Sequence, residues 1–214
     1  MWYIVIGMNH GVNENAGMHE TVLYVHGFNG SPSGHTAQAV QNFFGAEHVS
    51  GIQLDLLDYE GTLSALAAAV KERGITLIAA HSFGAFYALS QHLPFKGADP
   101  QTVQNVRTVL INPCMQPSEE ITKLDPSLSD AWKKEFEEHE NRLLGYFPKL
   151  SSFRTYGIFA DGDELFSYKD RFDKIYGASF GGVHNSCMVC GAHRIPETEL
   201  HKGLAAAMAF FCRV

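Results

Sequence analysis

Ile75-Thr76-Leu77-Ile78-Ala79-Ala80-His81-Ser82-Phe83-Gly84-Ala85-Phe86-Tyr87-Ala88-Leu89 is a short apolar run that turns through His-Ser-Phe-Gly into a second apolar segment of different period. Residues 75–80 are β-branched or small and carry no charge, as a strand buried on both faces requires, whereas Phe83, Phe86, Tyr87 and Ser90 recur at helical spacing. The pattern predicts strand, tight turn, helix, with Ser82 at the corner. A serine held there lifts its hydroxyl above the sheet edge, beside N–H groups that a helix N-terminus leaves free to donate to an anion.

The frame Ala80-His81-Ser82-Phe83-Gly84 departs at one position from the Gly-x-Ser-x-Gly pattern of a nucleophile elbow. Alanine still lets strand and helix backbones approach at the first position, and Gly84 does so at the second. On its own the match is a weak signal, because a serine that merely caps a helix gives the same string. The remainder of the chain has to decide.

With 214 residues and 45% hydrophobic content the chain can bury one good core, and nothing divides it into comparable halves. The formal charge of −7, without any Lys/Arg cluster, argues against nucleic acid or an anionic membrane as partner and favours a small neutral or cationic ligand. No stretch reaches the roughly 18 apolar residues of a membrane span, and the apolar run at residues 2–8 is too short and lacks the basic start of a secretory signal. A cytoplasmic protein is expected. Of the four cysteines only Cys187-x-x-Cys190 has redox or metal spacing. On a strand over 186–190 those two side chains point to opposite faces, so neither a disulfide nor a metal site is expected.

Residues 1–20 read as an N-terminal extension or an extra edge strand, and His10, His19 and Glu20 as a solvated tail rather than ligands. The domain proper spans 21–214. Residues 21–25 form a strand that runs into His26-Gly27-Phe28-Asn29-Gly30-Ser31-Pro32-Ser33-Gly34, and the helical period of Ala37, Val40, Phe43 and Phe44 follows. A strand at 49–54 and a helix at 63–70 lead to the elbow, and a further strand covers 106–111. This alternation implies an α/β fold, a mostly parallel sheet with helices on both faces.

The period breaks at 114–150, which holds one charged helix at about 130–144 and is read as a cap or lid insertion over the carboxyl ends of the strands; a solvated surface helix is the alternative. The sheet resumes at 154–160 and gives way to Asp161-Gly162-Asp163-Glu164-Leu165, then to a helix carrying Tyr168, Phe172, Ile175 and Tyr176. A strand at 186–190 leads to Gly191-Ala192-His193, and an amphipathic helix at 197–211 ends the chain. Serine, carboxylate and histidine thus follow three separate strands in the order nucleophile, acid, base.

These blocks resemble the small bacterial YqiA-type esterases of the α/β-hydrolase superfamily. The likeness runs over about residues 21–212 and rests on Leu23-Tyr24-Val25-His26-Gly27-Phe28-Asn29-Gly30-Ser31-Pro32, His81-Ser82-Phe83-Gly84, Leu110-Ile111-Asn112-Pro113, Gly162-Asp163-Glu164-Leu165 and Gly191-Ala192-His193. Ala80, Phe83 and the segment before Thr21 depart from the pattern. The resemblance implies an α/β-hydrolase fold in which Ser82 is the nucleophile, His193 its base and then acid, and Asp163 the group that fixes the imidazole. Asp163 is preferred because it matches the block and Glu164 should point away; Asp161 is the reserve.

The backbone N–H groups of Phe28 and Phe83 are the expected oxyanion donors. His26, His81 and Phe86 are expected at the pocket, His26 as a hydrogen-bonding scaffold and His81 as a wall, since a residue beside the serine diverges from it. Phe28, Phe83 and Phe86 would make that pocket apolar. The expected activity is hydrolysis of small carboxylic esters or thioesters by a carboxylesterase-like serine hydrolase, with an acyl-enzyme and no metal or organic cofactor. The competing reading is a catalytically silent scaffold of this fold that binds a small molecule or a protein. Convergence of the three groups discriminates them.

Overall fold

The computed structural model describes residues 20–93, 105–146 and 149–214. In chain order these form β1 (Val22–Val25), α1 (His35–Phe44), β2 (Val49–Gly51), α2 (Tyr59–Arg73), β3 (Leu77–His81), α3 (Phe83–Ser90), β4 (Arg107–Ile111) and α4 (Pro117–Leu124). They continue with α5 (Asp130–Tyr146), β5 (Thr155–Ala160), α6 (Lys169–Tyr176), the short strands β6 (Ser179–Phe180) and β7 (Val183–His184), β8 (Ser186–Val189) and α7 (Glu197–Phe211). Six strands make one parallel sheet in the order β2-β1-β3-β4-β5-β8, while β6 and β7 form an antiparallel pair apart from it.

The two-residue period of the strands divides the core. Val22, Tyr24, Leu77, Ala79, Val109 and Ile111 face α1 and α7, whereas Leu23, Val25, Ile78, Ala80 and Leu110 face α2, α3 and the helices of the insertion. Both faces of these central strands are buried, which is why they read as unbroken apolar runs. The central pairing sets Val25 opposite Ala80 and His81 opposite Ile111, so the loops after β1, β3 and β4 leave the sheet side by side.

Several boundaries differ from the sequence-based expectation for local reasons. α2 starts at Tyr59 rather than at 63 because the Asp58 carboxylate accepts the Gly61 N–H at 3.0 Å and caps it. β2 stops at Gly51 rather than at 54, and the Leu54 N–H goes to the His26 Nε2 at 3.1 Å. Residues 1–19, with the expected extension or edge strand, lie outside the described residues. Glu20 is described, and it is no solvated tail: it is buried, pairs with Arg107 and accepts the Thr76 hydroxyl at 2.5 Å. The charged helix α5 is amphipathic, with Phe136 and Leu143 buried in the core cluster and Trp132 stacked on Phe136 at 4.1 Å. Trp132 Nε1 donates to the Leu57 carbonyl at 3.2 Å, tying α5 to the loop before α2. No helix of the described residues is long and apolar enough to cross a membrane.

Candidate active site

The turn between β3 and α3 places Ser82 at φ 55° and ψ −124°, a conformation that costs a serine on the order of 1–3 kcal/mol. Neighbouring strands hold it there. The Ser82 N–H donates to the Ile111 carbonyl at 3.0 Å, and the Ser82 carbonyl accepts from Ala85 N–H and Cys114 N–H, each at 3.0 Å. Gly84 is demanded by packing: a Cβ there would stand 2.3 Å from the His26 carbonyl oxygen and 2.9 Å from that of Val25. Helix α3 therefore crosses directly over the end of β1. Ala80 is fully buried and causes no conflict at the first elbow position.

The loop after β1 is pressed against the serine. A Cβ on Gly27 would lie 2.7 Å from Ser82 Cβ and 3.2 Å from its Oγ. The Gly27 carbonyl accepts the Gly30 N–H at 2.9 Å, closing a tight turn with Asn29 at φ 52°, and meets His26 Nδ1 at 2.8 Å. Because the Leu54 N–H can only donate, His26 Nε2 is its acceptor and the proton sits on Nδ1. The peptide after Gly27 is trans, so fixing its carbonyl fixes the Phe28 N–H on the opposite side of the plane. The Phe83 N–H, at the first position of α3, is among those that helix geometry leaves without an intrahelical acceptor.

His193 and Asp163 meet from the ends of β8 and β5. His193 Nδ1 lies 3.1 Å from both Asp163 carboxylate oxygens, and the Asp163 side chain is almost fully buried. Asp163 Oδ1 also accepts the N–H groups of Leu165 and Phe166 at 2.9 and 3.0 Å, which fix the carboxylate in the turn. Since a carboxylate only accepts, His193 carries its proton on Nδ1 and Nε2 is left with a lone pair. Asp161 takes a different task, accepting the Gly191 N–H at 3.1 Å.

Contacts that sequence reasoning did not assign surround His193. The Glu164 carboxylate accepts the His193 backbone N–H at 2.9 Å, and that bond holds its carboxyl below the usual range. Phe166 meets the imidazole edge-on with centroids 4.9 Å apart. Asn112 reaches the His193 carbonyl at 3.1 Å, and His81 Nε2 reaches the same oxygen at 3.2 Å. Burial, and next the proximity of His193, push the His81 imidazole down to about 4, so it is neutral at ordinary pH and donates from Nε2.

Ser82, His193, His81, His26 and Phe28 line one open cleft of about 830 Å³. Phe86 does not reach it. Its ring, like that of Phe83, is fully buried against Phe136 beneath the elbow, which corrects its assignment to the pocket and removes the Phe83 side chain as a wall. Helical periodicity identified the buried stripe of α3 but could not separate core from cleft. The apolar cleft residues include Phe28, Leu124 at the end of α4, and Leu165; His35, Glu164 and Arg194 supply polar wall.

The architecture is that of the α/β hydrolases. Similar solved structures include Est1E from Butyrivibrio proteoclasticus with ferulic acid bound, at 16% identity and a TM-score of 0.57 over 93% of this chain and 92% of that one. The ydeN gene product from B. subtilis matches at 16% identity and a TM-score of 0.56, over 89% of this chain and 99% of that chain. Alpha/beta hydrolase domain-containing protein 10 from mouse matches at 12% identity and a TM-score of 0.51, over 88% and 87% of the two chains. At such identities the likeness establishes the fold. No curated protein matches the chain in sequence. The model of an uncharacterised protein family, UPF0227, matches residues 21–174, a span that includes Ser82 and Asp163 and stops short of His193.

Proposed function

The chain belongs to the uncharacterised protein family UPF0227, and from that premise we propose that it is a serine hydrolase of small carboxylic esters or thioesters, acting through an acyl-enzyme on Ser82. The observation that carries the reading is His193 Nδ1 at 3.1 Å from both oxygens of the Asp163 carboxylate, with His193 lining the same cleft as Ser82. A histidine oriented in this way offers a bare Nε2 to a hydroxyl.

In the first step Ser82 Oγ adds to the ester carbonyl carbon while its proton passes to His193 Nε2. The carbonyl oxygen, now negative, is met by the N–H groups of Phe28 and Phe83, donors typically worth about 10²–10³ each in turnover. The imidazolium is stabilised by Asp163. Collapse breaks the bond to the leaving oxygen or sulfur, and His193 returns the proton to it. Water then attacks the acyl-Ser82 ester, losing a proton to the same nitrogen, and the serine is regenerated with release of the acid. Each proton and charge in this sequence is handled by a group of the chain itself.

The mixture of Phe28, Leu124 and Leu165 with His35 and Arg194 in the wall suits a small ester with a short or aromatic acyl group. Est1E, of the same fold, has been captured with ferulic acid, so hydroxycinnamate esters belong in the panel beside short p-nitrophenyl esters. A fluorophosphonate read by intact mass should add once to the wild type and not to Ser82→Ala, which should also lose ester hydrolysis. Labelling at another serine, or undiminished turnover in the variant, overturns the proposal; a folded chain that neither labels nor hydrolyses is the silent scaffold.

A further inference from the structure

Asn112 follows β4 at the position next to the elbow, with φ 41°, a left-handed conformation that asparagine tolerates better than most residues. Its backbone N–H continues the sheet by donating to the Ile158 carbonyl at 2.9 Å. Its side chain leaves the sheet. Oδ1 accepts the Ala160 N–H at 2.7 Å, and since an amide N–H can only donate, this fixes the amide orientation. Nδ2 then donates to the Ala192 carbonyl at 3.2 Å and to the His193 carbonyl at 3.1 Å.

One buried amide therefore spans three chain segments. Ala160 ends the strand from which Asp163 is suspended; Ala192 and His193 form the turn that carries the imidazole; Asn112 itself stands beside Ser82 on the next strand. We propose that Asn112 is a positioning residue, the part that sets the His193 base in register with Asp163 and Ser82. His81 shares the grip on the His193 carbonyl, from Nε2 at 3.2 Å, whereas Asn112 also holds the Ala160 N–H of the strand before Asp163. The inference rests on the reading of Ser82, His193 and Asp163 as the reacting groups, and its role is geometric: Asn112 touches neither substrate nor the reacting atoms.

The fold supplies a matched control. Asn185 is equally buried and spends its amide in the same way, with Oδ1 accepting the Ala178 N–H at 2.7 Å and Nδ2 donating to the carbonyls of Ser152, Thr155 and Tyr176, each at 3.0 Å. It lies at the start of β5 and β8, the opposite edge of the sheet from the cleft. Asn112→Ala, Asn112→Asp and Asn185→Ala should be compared in the full chain by melting temperature, by kcat and KM on a p-nitrophenyl ester, and by the low-field proton resonance of the His193–Asp163 hydrogen bond.

Asn112→Ala and Asn112→Asp should lower kcat by about 10²-fold, as displacement of a reacting group by about an ångström does, with KM little changed and the low-field proton weakened or lost. Asn185→Ala should lower the melting temperature comparably and leave kcat and the proton in place. Should Asn112→Ala fail to fold, Asn112→Asp, whose short polar side chain also suits a left-handed backbone, is read in the same way. Equal losses of kcat in Asn112→Ala and Asn185→Ala, or an unchanged kcat and proton in Asn112→Ala, overturn the proposal. Hydrolysis surviving in Ser82→Ala would sink the reading of the reacting groups instead, while the proton would still report whether Asn112 orients the pair.

Discussion

Gly27 and Ser82 are in direct backbone-to-side-chain contact: the position a Gly27 Cβ would occupy lies 2.7 Å from the serine Cβ. The loop that offers the Phe28 N–H is thus seated on the residue proposed to attack. Gly27→Ala should push the loop off the serine and lower kcat by about 10²–10³-fold, the usual cost of one oxyanion donor. Gly84→Ala meets main-chain oxygen rather than a side chain, and should appear chiefly as lost stability of about 1–3 kcal/mol in urea unfolding. A Gly27→Ala enzyme with wild-type kcat would remove Phe28 from the mechanism.

Asp163→Asn should leave the fold intact and lower turnover by about 10⁴-fold, because an amide can present its N–H₂ to Nδ1 and stabilise the wrong tautomer. Asp161→Asn retains an oxygen for the Gly191 N–H and should cost far less. Steady-state rates of the two variants decide between them, and the reverse ranking would transfer the acid role to Asp161.

Acyl-chain preference should respond to Leu124 and Leu165, which are exposed in the cleft, and not to Met115 or Leu143 of the insertion, which are buried in the core cluster. Leu124→Ser should change the ratio of kcat/KM on short and long acyl esters while Ser82 remains open to a small phosphonate. Leu143→Ala should instead cost about 2–5 kcal/mol of stability with the ratio unmoved. A flat profile in Leu124→Ser would place the acyl group elsewhere.

Stability should fall on mild acidification. Burial, and next the Arg154 charge, push the His92 imidazole down to about 4 from its ordinary 6.5. Above pH 6.5 neither folded nor unfolded chain holds the proton, and the residue contributes nothing to pH dependence. Between 6.5 and about 4 the unfolded chain takes up a proton that the folded chain refuses, so stability drops as pH drops. For His92→Gln the loss of unfolding free energy between about pH 7.5 and pH 5 should be smaller than in the wild type by about 2 kcal/mol. Equal losses in urea titrations of the two proteins would show that His92 titrates normally.

The sheet was legible in the sequence because its central strands are buried on both faces, and runs such as Leu77-Ile78-Ala79-Ala80 need no partner to be recognised. Asp163 and His193 were legible as polar groups just past strand ends. What escaped was set by distant partners. Glu20 is ordered by Arg107 and Thr76, 87 and 56 residues away. The role of Asn112 depends on Ala160, Ala192 and His193, and at sequence level the residue reads only as a strand end before Pro113. Phe86 shares its period with the whole of α3, and periodicity does not say which end of a helix looks into a cleft.

The turn bearing His193 hangs from β8, the last strand in the sheet order, which pairs with β5 through Gly157↔Ser186 to Ala160↔Val189. Ser82 follows β3, flanked by β1 and β4 at the centre. Terminal strands detach at lower free energy than central ones. A brief release of β8 would carry the imidazole away and leave the elbow standing, parting the two groups proposed to react in a protein that spectroscopy still counts as native. On the proposed mechanism, competence would then depend on the opening of β8 rather than of the whole molecule, and in rising urea hydrolysis should fade ahead of the far-ultraviolet dichroism.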